Sequence, residues 1–499
     1  MDTELKKPFM KRFWWIGLIA VIIIAAIVVV PSIVKDLKEE TQENYNDLSK
    51  IKYDPRVVAT FKTPTGAAFK YSSPTIVDGY LYAGTAQKVS YEGDHKAALA
   101  AMPDNFFYKF DLDLKPIWSY PLKRRMVIGS SALDSKGNIY FVAEALIAPD
   151  NPQDKDSFFL TTLHLVSLTN DGVLRWEQPI SEVDAPNDHT MIGVAIGADD
   201  SIYVAHDKFY AFDATGTEKW RYPTDDRTIK RESGSPIIDR DGNVYFVAPE
   251  PNNEEGYKGE TEKIRAYKFR PTGGDPIWST LLGNEIMDNE GGSTGGGYPT
   301  RSAEATPAFG LNQATLIAVA GATISKLDTA TGELLWSTKP KGATGHFAAS
   351  PVIDDRDNIY IGTKSNYEAT LFSLDTSGSI RWTRLIGADL YDTPMLGDDG
   401  AVYVGSESTA NGKFWAVDIE TGSIRWSIGK DKEGAKISDF SMASGLIYNG
   451  HVYIGIHEAQ NNGQILDGLF KIRVDAQNYF SGAAWPRFHG SNENTGRGE

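Results

Sequence analysis

Asp239, Asp241 and Asn243 stand at alternate positions of DRDGNVYFVAPE (239–250), and Glu250 is the twelfth residue of that stretch. This is the ligand order of a helix–loop–helix calcium loop, in which alternate oxygens and a final bidentate carboxylate wrap one cation. Such a loop needs glycine sixth, at its sharp bend, whereas here Gly242 is fourth and Val244 sixth. Sister stretches at 134–138, 354–358 and 398–400 lose successive ligands and keep the turn, and VYFVA continues as a strand. The spacing predicts a hairpin turn in which aspartate bonds its own backbone.

Other chemistry is equally sparse. There are no cysteines, which removes disulfides, thiolate metal sites, C-x-x-C-H haem attachment, cysteine nucleophiles and the lipid-bearing cysteine of a bacterial lipoprotein. The eight histidines (95, 164, 189, 206, 346, 451, 457 and 489) include no pair at the helical spacing of a zinc site. No G-x-S-x-G elbow and no G-x-x-x-x-G-K-[ST] loop occurs, and GGSTGGGYPT is too irregular to cradle phosphate.

The chain has 499 residues, 41% of them apolar and 11% aromatic, the composition of a folded protein. Its net charge is −16, and the first 12 residues carry +2, so the remainder carries −18. That balance excludes nucleic-acid binding through a basic surface. Residues 1–12 read as a cytoplasmic N-terminus. From Phe13 to Val34 runs an uncharged apolar segment preceded by Lys6, Lys7, Lys11 and Arg12. About 20 such residues span a bilayer, and the positive flank keeps the N-terminus inside. Residues 35–54 read as a polar stalk. The expectation is a single-pass protein with its folded domain, 55–499, on the extracytoplasmic side, in a periplasm or outside the cell.

That domain is repetitive. GVLRW 172–176, GTEKW 216–220, GDPIW 274–278, GELLW 332–336, GSIRW 378–382 and GSIRW 422–426 share one pattern, ending in Trp176, Trp220, Trp278, Trp336, Trp382 and Trp426. Trp118 joins them with Leu114 in the glycine's place. A second unit, of the type SSPTIVDGYLYAGT or ASPVIDDRDNIYIGT, occurs eight times. Both units read as hairpins around Asp/Asn/Gly turns, and two hairpins in about 45 residues match a four-stranded propeller blade. RVVATFKTP (56–64) reads as an orphan outer strand that completes the blade begun at Ser441, with Phe61 near the tryptophan's place. The predicted fold is an all-β, eight-bladed propeller of four-stranded antiparallel blades, preceded by one N-terminal transmembrane helix. A bulky ring repeated at one place in every blade predicts that the tryptophans pack between blades.

The A-x-D-x-x-T-G-x-x-x-W and S-P-x-x-D-x-x-G-x-x-Y-[VFI]-[AG] units, with the closing AWPRFHGSNENTGR (484–497), resemble the pyrroloquinoline-quinone-type β-propeller repeat over roughly residues 55–497. The resemblance implies one of two roles. Quinoprotein dehydrogenases of the family hold the quinone (PQQ) in the central channel with calcium and use an aspartate base. Scaffolds similar to the outer-membrane assembly lipoprotein bind protein partners instead. This chain lacks the adjacent cysteines of many alcohol-oxidising members, and its spanning segment replaces a lipid anchor. The scaffold reading, with no cofactor and no catalytic or metal residues, is favoured, and a PQQ- and calcium-dependent dehydrogenase of alcohols or sugars is the alternative.

Antiparallel blades put the first and third turns on one face and the remaining connections on the other. The long insertions, at 86–106, 144–158, 249–263, 283–301 and 457–468, fall on the second face, where rigid scaffolds usually carry recognition loops. They bring Glu254, Glu255, Glu260, Asp288 and Glu290 together with Tyr91, Phe106, Tyr257 and Tyr298. Acidic and aromatic groups suit a basic peptide, a cation or a glycan. The expected partner is a protein or a component of the cell envelope.

Overall fold

The computed structural model describes residues 55–86, 99–100, 102–147, 160–183, 192–229, 234–251, 262–285, 305–343, 345–364, 369–386, 390–406, 412–429, 444–456, 460–461, 464–465 and 468–498. The predicted N-terminus, anchor and stalk at 1–54 lie outside them. Residues 55–499 form one compact unit built of eight radial sheets. Blade 1 consists of Thr75–Val77, Tyr80–Gly84, Asn105–Phe110 and Pro116–Lys123, ordered from the axis outward. Blades 2 to 7 repeat this order at 125–183, 195–222, 237–285, 308–338, 352–385 and 395–428, the innermost strand of blade 2 being split in two. Blade 8 comprises Leu446–Tyr448, His451–Ile456 and Gly468–Arg473, and its outer strand is Val57–Phe61 from the start of the domain. The ring therefore closes with both chain ends in one sheet, as the sequence predicts.

Burial follows radial position. Second strands such as Val244–Pro249 and Ala401–Gly405 are buried at every residue because blades cover both their faces, so they read as unbroken apolar runs. Outer strands alternate, as in Glu218–Tyr222, with one face packed and the other wet. Inner strands are only two or three residues long, since the sheets converge on the axis.

The tryptophans pack between blades. A Cβ placed on Gly172, Gly216, Gly332, Gly378 or Gly422 would lie 2.6–3.1 Å from the indole of Trp118, Trp176, Trp278, Trp336 or Trp382, the tryptophan of the preceding blade. All five glycines have φ between 68° and 86°, so only glycine meets both demands without strain. In blade 4 the contact falls on Gly273, against Trp220, and not on Gly274, which has open space around its α-carbon. Each indole N–H also donates to a carbonyl in the next blade's turn, from Trp118 to Asn170 (3.0 Å) round to Trp382 to Ile419 (3.0 Å).

Blade 8 breaks the pattern at the closure. Strand pairing puts Ala59, not Phe61, in the tryptophan's place, opposite Lys471. The next turn, in blade 1, carries Leu114 where glycine stands elsewhere; its φ is 62°, its side chain is buried, and it shares a buried cluster with Ala59 and Phe61. A small residue and a large one have exchanged sides of the same gap. On the other flank, the Arg56 guanidinium lies 4.2 Å over the Trp426 ring and 3.1 Å from Asp475, while the Trp426 N–H donates to Asp475.

The DRDGN stretch is the predicted hairpin turn. Asp239 Oδ1 accepts the N–H groups of Asp241 and Asn243, and Oδ2 accepts the Asn243 amide and the Tyr245 hydroxyl at 2.8 Å. Asp134–Tyr140 and Asp354–Tyr360 repeat it. Each blade also supplies one cation near these turns, by one of two routes. Blades 1, 4, 5 and 8 place Lys109, Lys268, Lys326 and Lys471 on the third strand and have Ile117, Ile277, Leu335 and Val58 just before the tryptophan position. Blades 2, 3, 6 and 7 have Ser or Ala on the third strand and place Arg175, Lys219, Arg381 and Arg425 before the tryptophan instead. The four apolar residues displaced outward by the first route are exposed, from 37% to 50%. They need no ligand to account for them.

Candidate functional site

Two surfaces are candidates, the axial channel and the insertion-bearing face. Around the axis, the residue two places before each inner strand is Ser73, Ser130, Gly193, Ser235, Thr306, Ser350, Thr393 or Ser444. Six neighbouring pairs are linked by a backbone N–H donating to the next blade's side-chain oxygen: Gly193 to Ser235, Ser235 to Thr306, Thr306 to Ser350, Ser350 to Thr393, Thr393 to Ser444 and Ser444 to Ser73, at 2.7–3.2 Å. The hydroxyls are all buried. Gly193 has none because the His489 ring fills that space, 2.5 Å from where its Cβ would be.

The channel is filled by the C-terminal segment. An inner strand is the free edge of its sheet, and its unpaired N–H and C=O groups need partners. Residues 477–498 provide them. Gln477 O accepts from Gly450 in blade 8, and Leu396 of blade 7 bonds Phe480 and Pro486. Ile353 of blade 6 exchanges two bonds with Trp485, whose ring meets Phe309 of blade 5 edge-on at 5.5 Å. Asn492, Thr495 and Gly496 accept from Ile76, Ile196 and Ile238 in blades 1, 3 and 4. Seven blades thus touch one short segment, and Trp485, Arg487, His489 and Asn494 within it are almost fully buried.

Two buried ionisable groups flank the axis besides Arg487. Both oxygens of Asp392 accept backbone N–H groups, from Gly405 (2.9 Å) and Gly445 (3.3 Å), and desolvation pushes its carboxyl well above the usual range. His489 bonds the Asn494 carbonyl through Nδ1 at 3.0 Å, so Nδ1 carries the proton; burial drives the imidazole down to about 3, and it stays neutral. PQQ with calcium does not fit these residues. Asp392 already accepts from two amides, the chain's own tail fills the axis, and no three His, Asp or Glu side chains converge among the described residues. No catalytic step is derived through that group.

The insertions leave the scaffold where the topology predicts. The segments 87–98, 148–159, 252–261 and 457–459 all follow second strands, and 286–304 follows a fourth strand. Parts assigned to insertion from sequence are strand. Ile139–Ile147 and Leu160–Leu168 extend blade 2 to nine residues per strand, Asn105–Phe110 takes in 105 and 106, Trp278–Glu285 runs past 283, and Gln460–Asn461 pairs with Gln464–Ile465. Of the predicted recognition residues, Tyr91, Glu254, Glu255, Tyr257, Glu260, Asp288, Glu290 and Tyr298 lie outside the described residues. Phe106 is half-buried, 5.7 Å from Tyr108, in the cluster between blades 8 and 1, and its N–H donates to Thr85. It is held as a core residue. Sequence reasoning passed over the hydroxyl ring, whose signal is the Ser or Thr of five S-P and T-P pairs, and read the tail only as a closing motif without its place in the channel.

A family model described as outer membrane protein assembly factor BamB matches residues 161–428 and 320–465. Among solved structures, the Dos1 propeller is similar over 85% of this chain and 96% of its own, at 10% identity and a TM-score of 0.48. The dihydro-heme d1 dehydrogenase NirN in complex with DHE is similar over 77% and 73%, at 10% identity and a TM-score of 0.43. No curated protein matches. With eight closed blades and a family match running from blade 2 into blade 8, the chain belongs to the PQQ-like β-propeller repeat family typified by outer membrane protein assembly factor BamB.

Proposed function

We propose that this protein is a membrane-anchored, extracytoplasmic scaffold that binds a protein or cell-envelope partner without catalysing a reaction. One observation carries the reading: the chain's own tail takes up the axial channel, which turns a partner toward the outer surfaces, of which the insertion face carries the longest loops. Membership of a family described by an assembly factor supports it. The uncharged segment 13–34 with its positive flank supports anchoring, and the acidic remainder favours a partner with basic groups.

The test is in-membrane cross-linking of the full-length chain followed by identification of the adduct. It is repeated with 286–304, and separately 252–261, replaced by short Gly-Ser links. A specific adduct lost in either variant supports the scaffold. Saturable dye reduction by the purified chain with PQQ, calcium and an alcohol or sugar refutes it.

A further inference from the structure

We infer that the cavity inside the hydroxyl ring is a binding site for a single small anion, of chloride size. The cavity is lined by Ser73, Ser130, Thr306, Ser350, Thr393 and Ser444, with Phe488 of the tail among the residues enclosing it. It has space for about one water-sized occupant.

Three observations define what the occupant is. Five of these six hydroxyls already accept a backbone N–H, and among the described residues none donates to another group. An accepted N–H polarises a hydroxyl toward donating its own proton, so the ring presents donors to whatever it encloses. The sixth hydroxyl, Ser130, is fully buried and has no partner among the described residues.

The third observation is charge. Arg487, next to Phe488 in the tail, is 0% exposed. Its single hydrogen bond runs from Nη1 to the Ser491 carbonyl at 3.0 Å, and Nε and Nη2 have no partner. Its surroundings hold Asp392 and Tyr479, with Glu493 further along the tail, yet among the described residues no carboxylate comes within ion-pair distance. Asp392 gives both of its oxygens to backbone amides, of Gly405 and Gly445, and not to the guanidinium. A buried, unpaired guanidinium is strongly unfavourable unless an anion lies nearby. Donors on the wall and a buried guanidinium on the residue that adjoins Phe488 in the chain select an anion over a cation, and the space limits it to a single monatomic ion.

The test has two readouts on the full-length chain. Crystals soaked in bromide are expected to show an anomalous peak on the axis inside the ring. In solution, chloride or bromide is expected to raise Tm above its value in gluconate at equal ionic strength. That rise is expected to disappear in Arg487→Gln, which removes the charge and keeps a polar side chain, and to shrink in Ser130→Ala. Both variants are checked for native circular dichroism, and the wild-type bromide map decides the matter if either fails to fold. A water-sized feature with no anomalous signal, or a rubidium peak in place of bromide, overturns the inference.

Discussion

Replacing Gly332 by alanine tests the packing between blades most directly. The residue has φ 75°, and a Cβ there would sit 2.7 Å from Trp278 Cδ2 and 2.8 Å from Cγ. The left-handed backbone alone costs an L-residue roughly 1–2 kcal/mol. Pushing the indole back adds an overpacking term of about 1–3 kcal/mol. Gly342 separates the two, because its φ is 88° and nothing lies within 4 Å of the same position. Unfolding entropy near 2.1 cal/mol/K per residue, taken over residues 55–499, gives roughly 0.9 kcal/mol per degree. Differential scanning calorimetry should therefore show a fall of about 1–2 °C for Gly342→Ala and about 2–5 °C for Gly332→Ala. In a Trp278→Ala background the clash is gone, and Gly332→Ala should lower Tm only as much as Gly342→Ala does. The resulting coupling is about 1–3 kcal/mol, well above the usual error of additivity. Equal shifts from Gly332→Ala in both backgrounds would refute the idea that the indole dictates the glycine.

Three further outcomes follow from the same geometry. Leu114→Gly should destabilise by roughly 1–3 kcal/mol although its φ of 62° suits glycine, because the leucine fills the gap left by Ala59; adding Ala59→Trp should recover most of the loss in the same melt. His489 has a folded pKa of about 3, below its unfolded value, so the stability it contributes is complete above pH 6.5 and lost as pH falls toward 3. Acid-titrated melts of His489→Asn, whose amide can still donate to Asn494, should lack that part of the slope. Deleting residues 55–61 strips the outer strand from blade 8 and leaves Gly468–Arg473 as a bare edge. Light scattering should then report self-association in place of the native mass.

The architecture was legible because it recurs. Eight hairpin units, seven tryptophans and a lone N-terminal strand fix blade number and closure without any long-range information. The details that escaped are those where two residues far apart in sequence decide one gap. Phe61 looked like the tryptophan's counterpart because it is aromatic, while a bulge between Val57 and Ala59 gives that place to Ala59. Gly274 fitted the five-residue spacing, but the turn in blade 4 is one residue longer and Gly273 meets the indole. The cation of each blade alternates between two positions, so neither column alone shows a pattern. Phe106 read as a loop residue because it closes the long insertion after the second strand of blade 1, and pairing with Pro121 makes it strand. The axial site was illegible for another reason: its Ser and Thr residues come one per blade except in blade 3, five of the seven are ordinary residues before a proline, and they acquire meaning only when the ring is closed.

Pairing the first strand with the last sheet, and laying the final residues against seven blades, also sets a schedule. No intermediate of synthesis can reach the native ring, because the pieces that seal it are the earliest and latest of the domain to emerge, 416 residues apart between Val57 and Arg473 at their extremes. Until the terminus arrives, the inner edges face one another unpaired and depend on whatever holds nascent chains apart. A ribosome that stops early yields a product that a protease can distinguish from the finished protein.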